Sequence, residues 1–315
     1  MAEKGRGRNI RALFEATRQD ILPYREKSYF KEGEECSLEN EDTVPLIRFR
    51  AFEPFFPEIN AAFSTRFGGV SKKEELLELN FGFDRGDETE YVQENYKRFC
   101  ESMGEDYRSL VLSDQVHETK VYRAGEKDRT GEIVEKKLRG VDGLISGEEV
   151  VLATSYADCV PLLFAEPVKR VIAAAHSGWR GTVGKIGEKT VQAFAGEYGS
   201  RKEDIIAVIG PSICQNCYEV SGDVVLEFKK AFSREQIAEI VKPSTEKEGK
   251  YQLDLWAANF FCLKEAGLLP EHIHVSGICT CHHPGLLFSH RASHGRRGNL
   301  NAFIALHRAF PASFF

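Results

Sequence analysis

Methionine is almost absent: of 315 residues only Met1 and Met103 carry a thioether. A copper centre made of cysteine, two histidines and an axial methionine therefore has almost no methionine to use. No stretch approaches the roughly 18 uninterrupted apolar residues of a membrane helix. The N-terminus lacks the apolar core of a secretory signal. A basic excess is missing as well: 42 Lys+Arg against 48 Asp+Glu leave a net charge of −6, which argues against a general nucleic-acid binder. Neither a low-complexity linker nor a short-period repeat interrupts the chain. What is present, 42% hydrophobic and 29% charged residues, is the composition of a soluble globular protein long enough for one large domain or two ordinary ones. Without an export signal the eight cysteines read as reduced thiols or metal ligands, and the protein as cytoplasmic.

Residues 1–45 differ from the rest. Lys4, Arg6, Arg8 and Arg11 form a basic arm, and Glu32, Glu34, Glu35, Glu39, Glu41 and Asp42 an acidic run. This pattern predicts a charged, solvated N-terminal extension, with a short helix over 10–21 packed on the body as the alternative. The arm is neither Ser-rich nor followed by a cleavage site, as a transit peptide would be. From Leu46 to the end, one α/β domain is expected over 46–315. Runs rich in β-branched residues at 110–112, 150–154, 161–165, 171–175, 205–209 and 273–278 predict strands. Val92, Tyr96, Phe99 and Met103 recur at helical spacing, as do Val183, Ile186, Thr190, Val191 and Phe194, and the segment 253–263. The strands between 150 and 175 leave no room for crossover helices, so the sheet is mixed rather than purely parallel.

Several familiar chemistries fail on inspection. Gly178, Gly181, Gly184 and Gly187 match neither a dinucleotide fingerprint nor a P-loop, because Trp179 and Ile186 stand where a P-loop needs glycine and a hydroxyl. Ser177 lacks the flanking glycines of a nucleophile elbow. No His-Glu-x-x-His string occurs.

Three soft or borderline metal ligands do stand immediately after strand-like runs: His117, Cys159 and His176. Strand ends are where ligands gather in α/β sheets. Two imidazoles and a thiolate suit Zn²⁺, and three protein ligands leave a fourth position for water or substrate. Zinc lowers the pKa of such a water toward neutrality for attack on an electrophilic carbon. A cysteine or histidine after a strand is equally at home as a packing residue or a satisfied core group. A rival cluster pairs Cys214-Gln215-Asn216-Cys217 with Cys279-Thr280-Cys281-His282-His283. Cys214, Cys217, Cys279 and Cys281 read either as a structural zinc site, with a second pair one residue short of a standard knuckle, or as neighbouring reduced thiols.

Longer strings carry a family likeness. They run Phe63-Ser64-Thr65-Arg66-Phe67-Gly68-Gly69, Asp114-Gln115-Val116-His117, Val141-Asp142-Gly143-Leu144, Ala157-Asp158-Cys159-Val160-Pro161, Ala175-His176-Ser177-Gly178-Trp179-Arg180-Gly181, Tyr218-Glu219-Val220 and Phe288-Ser289-His290-Arg291. Together, over about residues 46–310, they resemble the laccase-domain family, formerly called multicopper polyphenol oxidoreductases and including peptidoglycan editing factors. The resemblance implies purine nucleoside phosphorylase activity on inosine, guanosine and adenosine, with adenosine deaminase and methylthioadenosine phosphorylase activities. It also implies a four-layer α/β/β/α fold with mixed sheets, of the cytotoxic-necrotizing-factor-like cysteine hydrolase type. It assigns a zinc ion to His117, Cys159 and His176, and nucleosides and phosphate as partners; a His-Cys site also accepts copper as an adventitious substitute. Two departures stand out: Glu118 replaces the family's glycine after the histidine, and Arg296-Arg297-Gly298-Asn299 replaces the usual Thr-Gly-Arg. The first predicts a different loop path, since Glu adopts left-handed backbone at a cost glycine escapes.

Phosphorolysis needs cations for phosphate. Arg66, beside Gly68-Gly69, is the first choice for a phosphate fork, with a surface ion pair as its ordinary alternative. Arg180 is the second, at the start of a helix expected over 181–198, unless it merely stacks on Trp179. Asp142 and Asp158 read as proton-transfer or ligand-orienting groups, or as loop caps. Two other functions use the same residues. A cysteine hydrolase or amidase would take Cys159 as nucleophile and His176 as base. A non-enzymatic interaction protein would keep the four-cysteine group as structure.

Overall fold

Of the runs expected as strands, all form strands, and they divide between two mixed sheets. The computed structural model describes residues 9–19, 22–24, 26–31 and 35–307. The first sheet has the order β1 (Cys36–Glu39), β2 (Leu46–Phe49), β3 (Ile59–Ser64), β16 (Leu300–Leu306), β8 (Val151–Tyr156), β4 (Leu110–Asp114) and β6 (Leu138–Arg139). The second runs β15 (Ile273–Val275), β11 (Ile206–Ile209), β9 (Val160–Glu166), β10 (Val171–Ser177), β7 (Gly143–Ser146) and β5 (Val121–Arg123). β4 is parallel to β8 and β6, β11 to β15, and β5 to β7; the remaining pairs in both sheets are antiparallel. A small antiparallel sheet joins β12 (Glu219–Ser221), β14 (Lys250–Leu253) and β13 (Val241–Pro243).

The strands are apolar on both faces because both faces are covered. Period-two alternation sends Leu163, Ala165, Ile172 and Ala174 of the second sheet against Phe63, Leu152, Ala302 and Ile304 of the first. The alternate residues Leu162, Phe164, Ala173 and Ala175 meet Phe194 of helix α4 (Ile186–Tyr198) and Trp256 and Leu263 of α7 (Leu255–Ala266). On the far side of the first sheet, Ala62, Ala153 and Phe303 pack on Val92, Tyr96, Phe99 and Met103 of α2 (Thr89–Met103). Only Ala157, Asp158 and Cys159 separate β8 from β9, so the chain passes from one sheet to the other at that point. β9 and β10 then close an antiparallel pair that brings His176 opposite Pro161, next to the crossing.

Three local expectations need correction. The helix expected over 181–198 is two pieces, α3 (Trp179–Val183) and α4, broken where Lys185 takes a left-handed φ of 62°. The run at 273–278 is a strand only as far as Val275. Most of the segment expected as a solvated extension is built into the body, and the alternative of a packed helix over 10–21 holds for Ile10–Thr17. Helix α1 (Ile10–Thr17) buries Phe14, Tyr24 and Tyr29 join the helix-covered core, and β1 pairs along β2. Lys27 and the Tyr29 hydroxyl both reach the buried Asp254 carboxylate, at 2.9 and 2.5 Å. Arg11 pairs with Glu41, whereas Lys4, Arg6, Arg8, Glu32 and Glu34 lie outside the described residues. The remaining helices, α5 (Gly222–Ala231) and α6 (Arg234–Ile240), sit over the small sheet.

Candidate functional site

The crossing between the sheets gathers the three donors. Ligand atoms of His117, Cys159 and His176 all lie within 4.8 Å of one another. Their setting is built around Asp142, which is fully buried. Its two carboxylate oxygens accept three successive backbone N–H groups, from Val116 (3.0 Å), His117 (2.9 Å) and Glu118 (3.0 Å). Such a nest of amides stabilises both the anion and the loop that forms it. The loop holds His117 at a left-handed φ of 63°. That answers the question posed by Glu118: the left-handed residue is the histidine itself, and Glu118 contributes only its amide.

Asp142 also fixes His176. Its Oδ1 lies 2.9 Å from His176 Nδ1, and its carbonyl accepts the His176 N–H at 2.7 Å. With Nδ1 donating to the carboxylate, Nε2 is the nitrogen left for a ligand or for Cys159. Burial pushes the Asp142 carboxyl up, but the His176 hydrogen bond and the loop amides bring it below its ordinary range. Burial likewise raises the Cys159 thiol, yet the charge of His176 and hydrogen bonds from His117 and His176 carry it down to about 6. His176 moves the other way: burial lowers it, and Cys159 and Asp142 raise it to about 9. The pair behaves as thiolate and imidazolium when no cation is bound.

The turn that delivers Cys159 is itself gripped. Asp158 has φ 84°, and its carboxylate accepts the Thr280 hydroxyl and the Arg291 N–H, each at 2.7 Å. Its carbonyl accepts the Ile213 N–H at 3.0 Å. Asp158 thus holds the turn rather than facing the donors. A side-chain Cβ at Gly178 would sit 3.1 Å from Cys159 Sγ and 3.3 Å from His117 Cδ2, so glycine there keeps the space in front of the donors open. Two imidazole nitrogens, a depressed thiol and a clear approach fit a borderline divalent cation.

The two arginines chosen from sequence are not part of this group. Arg66 donates Nε to the Leu77 carbonyl (2.9 Å) and one Nη to that of Pro284 (2.8 Å), and it stacks on Phe288. It lines a cleft of about 730 Å³ with Arg296, Arg297, Glu74 and Glu75, none of the three donors being in that lining. Gly68 and Gly69 serve packing there: a Cβ on either would lie 2.6 Å or less from a backbone oxygen, of Thr43 and Glu78 respectively. Arg180 lies over the Trp179 ring, 4.4 Å from its centroid, beside a second cleft. Arg297, which sequence reasoning noted only as a departure from the family pattern, shares the Arg66 cleft and feels the charge of Cys159. Burial and Arg85 lower its guanidinium to about 10, against the pull of Asp158, Asp84 and Cys159. Gly178, Thr280 and Arg291 were also missed as site residues: Gly178 and Arg291 stand in the family strings, but the roles of all three exist only across the crossing.

The class these features define is a mixed-sheet α/β protein with a three-donor candidate metal centre where its two sheets exchange the chain. The chain belongs to the multi-copper polyphenol oxidoreductase laccase family, whose model matches residues 60–307. It is 38% identical over 255 residues to purine nucleoside phosphorylase YlmD of Bacillus subtilis, covering 80% of this chain and 90% of that one. It is 34% identical over 234 residues to adenosine deaminase RL5 from an unknown prokaryotic organism, covering 73% and 88%. A crystal structure of Bacillus licheniformis hypothetical protein YfiH matches with a TM-score of 0.79 at 31% identity, covering 86% of this chain and 99% of that one. Among the described residues the one methionine, Met103, belongs to the core under α2 and is not beside the three donors.

Proposed function

We propose that this chain is a cytoplasmic, zinc-dependent purine nucleoside phosphorylase. In this reading it acts on inosine, guanosine and adenosine, with adenosine deaminase and methylthioadenosine phosphorylase activities. The observation that carries the reading is the His117, Cys159 and His176 set held on Asp142, in a chain 38% identical to a phosphorylase and 34% identical to a deaminase. The four-layer α/β/β/α order belongs to the proposal and is supported by the three cores described above; the likeness to cytotoxic-necrotizing-factor-type hydrolases belongs to it too and rests on the family resemblance alone.

Zinc on these ligands supplies a Lewis acid that polarises oxygen and brings water toward ionisation at neutral pH. The chain's own residues do the rest. Asp142 keeps a proton on His176 Nδ1 and so presents Nε2. Asp158, held by Thr280 and Arg291, fixes the turn that aims Cys159. Arg66 and Arg180 are proposed as phosphate contacts, each from a cleft whose lining holds none of the three donors; the two carbonyl contacts of Arg66 set the plane of its fork. In phosphorolysis a phosphate oxygen forms a bond to C1′ while the bond from C1′ to the purine nitrogen breaks. In deamination water adds at C6 of adenosine and ammonia leaves. The test is turnover of inosine with and without phosphate, following hypoxanthine and ribose 1-phosphate, before and after chelation and Zn²⁺ readdition. Phosphate-independent turnover, or none, overturns the phosphorylase reading.

One observation favours a second reading: Cys159, His176 and Asp142 also have the pairing of a cysteine hydrolase, with the thiol at about 6. A hydrolase of that kind ignores chelators and dies on alkylation; the zinc enzyme loses activity to chelators and regains it with metal.

A further inference from the structure

The proposed activity leaves two cysteine-bearing loops without a role. Cys214 precedes and Cys217 ends the one-turn helix Gln215–Cys217, and Cys279 and His282 follow β15 on a neighbouring loop. Their four ligand atoms lie within 4.8 Å of one another. The sequence expectation named Cys281 as the fourth member; the structure brings His282 within reach of all three other donors, while Cys281 reaches Cys217 from the edge of the group.

The loops are laced together around these donors. Ser212 and Cys279 form a parallel bridge, with the Ser212 N–H donating to the Ile278 carbonyl (3.1 Å) and the Thr280 N–H to the Ser212 carbonyl (3.2 Å). The Cys214 N–H points at Cys279 Sγ, 3.4 Å away, a contact that favours a charged sulfur. The N–H groups of Cys217 and Tyr218 both close on the Cys214 carbonyl at 3.1 Å. None of the thiols is in a disulfide, and Cys214 and Cys279 are buried. Clustered buried thiolates repel one another unless a cation or an oxidation relieves them.

We propose that Cys214, Cys217, Cys279 and His282 form a second metal site, a structural one, that takes Zn²⁺ on three thiolates and a neutral imidazole. Four protein ligands leave no open position, which is the pattern of a structural rather than a catalytic zinc. Loading releases the proton of each protonated thiol as its Zn–S bond forms, with no change of oxidation state. The placement gives the site a purpose. The residues beside its cysteines, Ile213 and Thr280, are two of those that grip Asp158, so a metal here clamps the left-handed turn that carries Cys159.

Metal analysis of the purified full chain, prepared under reductant, tests this. The expected result is two zinc ions per wild-type chain, one per chain in the double variant Cys159→Ser with His176→Ala, and one in Cys217→Ser. Cobalt reconstitution assigns them: the double variant keeps thiolate-to-cobalt charge-transfer absorption with the strength of three sulfurs, and Cys217→Ser keeps only the single-sulfur absorption of Cys159. Should Cys217→Ser fail to fold, the exposed His282→Ala reports instead, releasing one zinc to a chelator at least ten times faster than wild type. The proposal falls if wild type saturates at one zinc that disappears in the double variant, or if a disulfide among the three cysteines takes the metal's place. Loss of metal from the double variant's missing triad alone speaks to the activity proposal and leaves this one standing.

Discussion

The two clusters of soft donors use the same residue types in opposite ways. At the sheet crossing, His117, Cys159 and His176 offer three donors, one of them exposed, with Gly178 keeping the approach clear. Between the loops after β11 and β15, Cys214, Cys217, Cys279 and His282 offer four, with two cysteines buried. The first is organised by a carboxylate outside the donor set, Asp142, which leaves a coordination position to spare. The second is organised by its own loops and has nothing to spare. A fourth protein ligand makes a metal a staple; its absence makes the metal a reagent. Asp158 links the two, with Cys159 next in the chain and Thr280 and Ile213 on its other side.

The comparison breaks most sharply at the donors themselves. Cys159→Ser or His176→Ala should lower kcat/KM for inosine by more than about 100-fold, beyond the range expected for an outer partner. Activity within tenfold of wild type would put the chemistry elsewhere. Asp142→Asn comes next, since the amide keeps one acceptor but cannot receive three N–H groups along with His176. Metal affinity should fall by about 10- to 100-fold, read by competition with a chromophoric chelator. An unchanged affinity would mean the loop orders itself without the carboxylate.

Arg66→Ala should weaken apparent phosphate affinity by about 10- to 100-fold while sparing zinc content, as expected for losing a charge-assisted fork worth about 1.5–3 kcal/mol. Arg66→Lys should recover part of it. Equal losses in phosphorolysis and deamination would make Arg66 a wall of the cleft. Gly178→Ala is milder: a methyl crowding Cys159 should cost about tenfold in metal affinity, near the low end of the 1–3 kcal/mol typical of overpacking. Its negative φ means that the backbone tolerates alanine, so a fall in thermal stability matching that in affinity would refute the steric account.

The smallest effect is on the metal-free protein's pH profile. A Cys159 thiol lowered to about 6 is protonated below that pH and ionised above it. Its alkylation rate should therefore rise about tenfold between pH 5 and 7 and then level off. An ordinary thiol would still be gaining reactivity at pH 8. Zinc should suppress the reaction across the range.

How much of this was legible beforehand varies with distance along the chain. His117, Cys159 and His176 were readable because each follows its own strand run, a local signal. Asp142 was legible only as one of several candidates, since the loop it organises lies more than twenty residues away in sequence. Thr280 and Arg291 were not legible at all as partners of Asp158, because nothing in their own segments indicates which turn they meet. The break at Lys185 was hidden by a continuous helical pattern, since periodicity records which side faces the core but not a single left-handed residue. The charged N-terminal segment misled for the reverse reason: its charges dominate the composition, while its few aromatic residues, Phe14, Tyr24 and Tyr29, do the packing.

The amino-acid sequence by itself determined the strand and helix runs, the mixed character of the sheets and the chemical identity of the donors, because alternation, helical spacing and side-chain type are local properties. Tertiary structure alone decided that the chain changes sheets at Cys159, that Asp142 serves two ligands at once, and that His282 rather than Cys281 completes the second cluster. Those outcomes depend on which strand ends and loops the buried faces of two sheets bring within a few ångströms, and only the packing of the whole core fixes that.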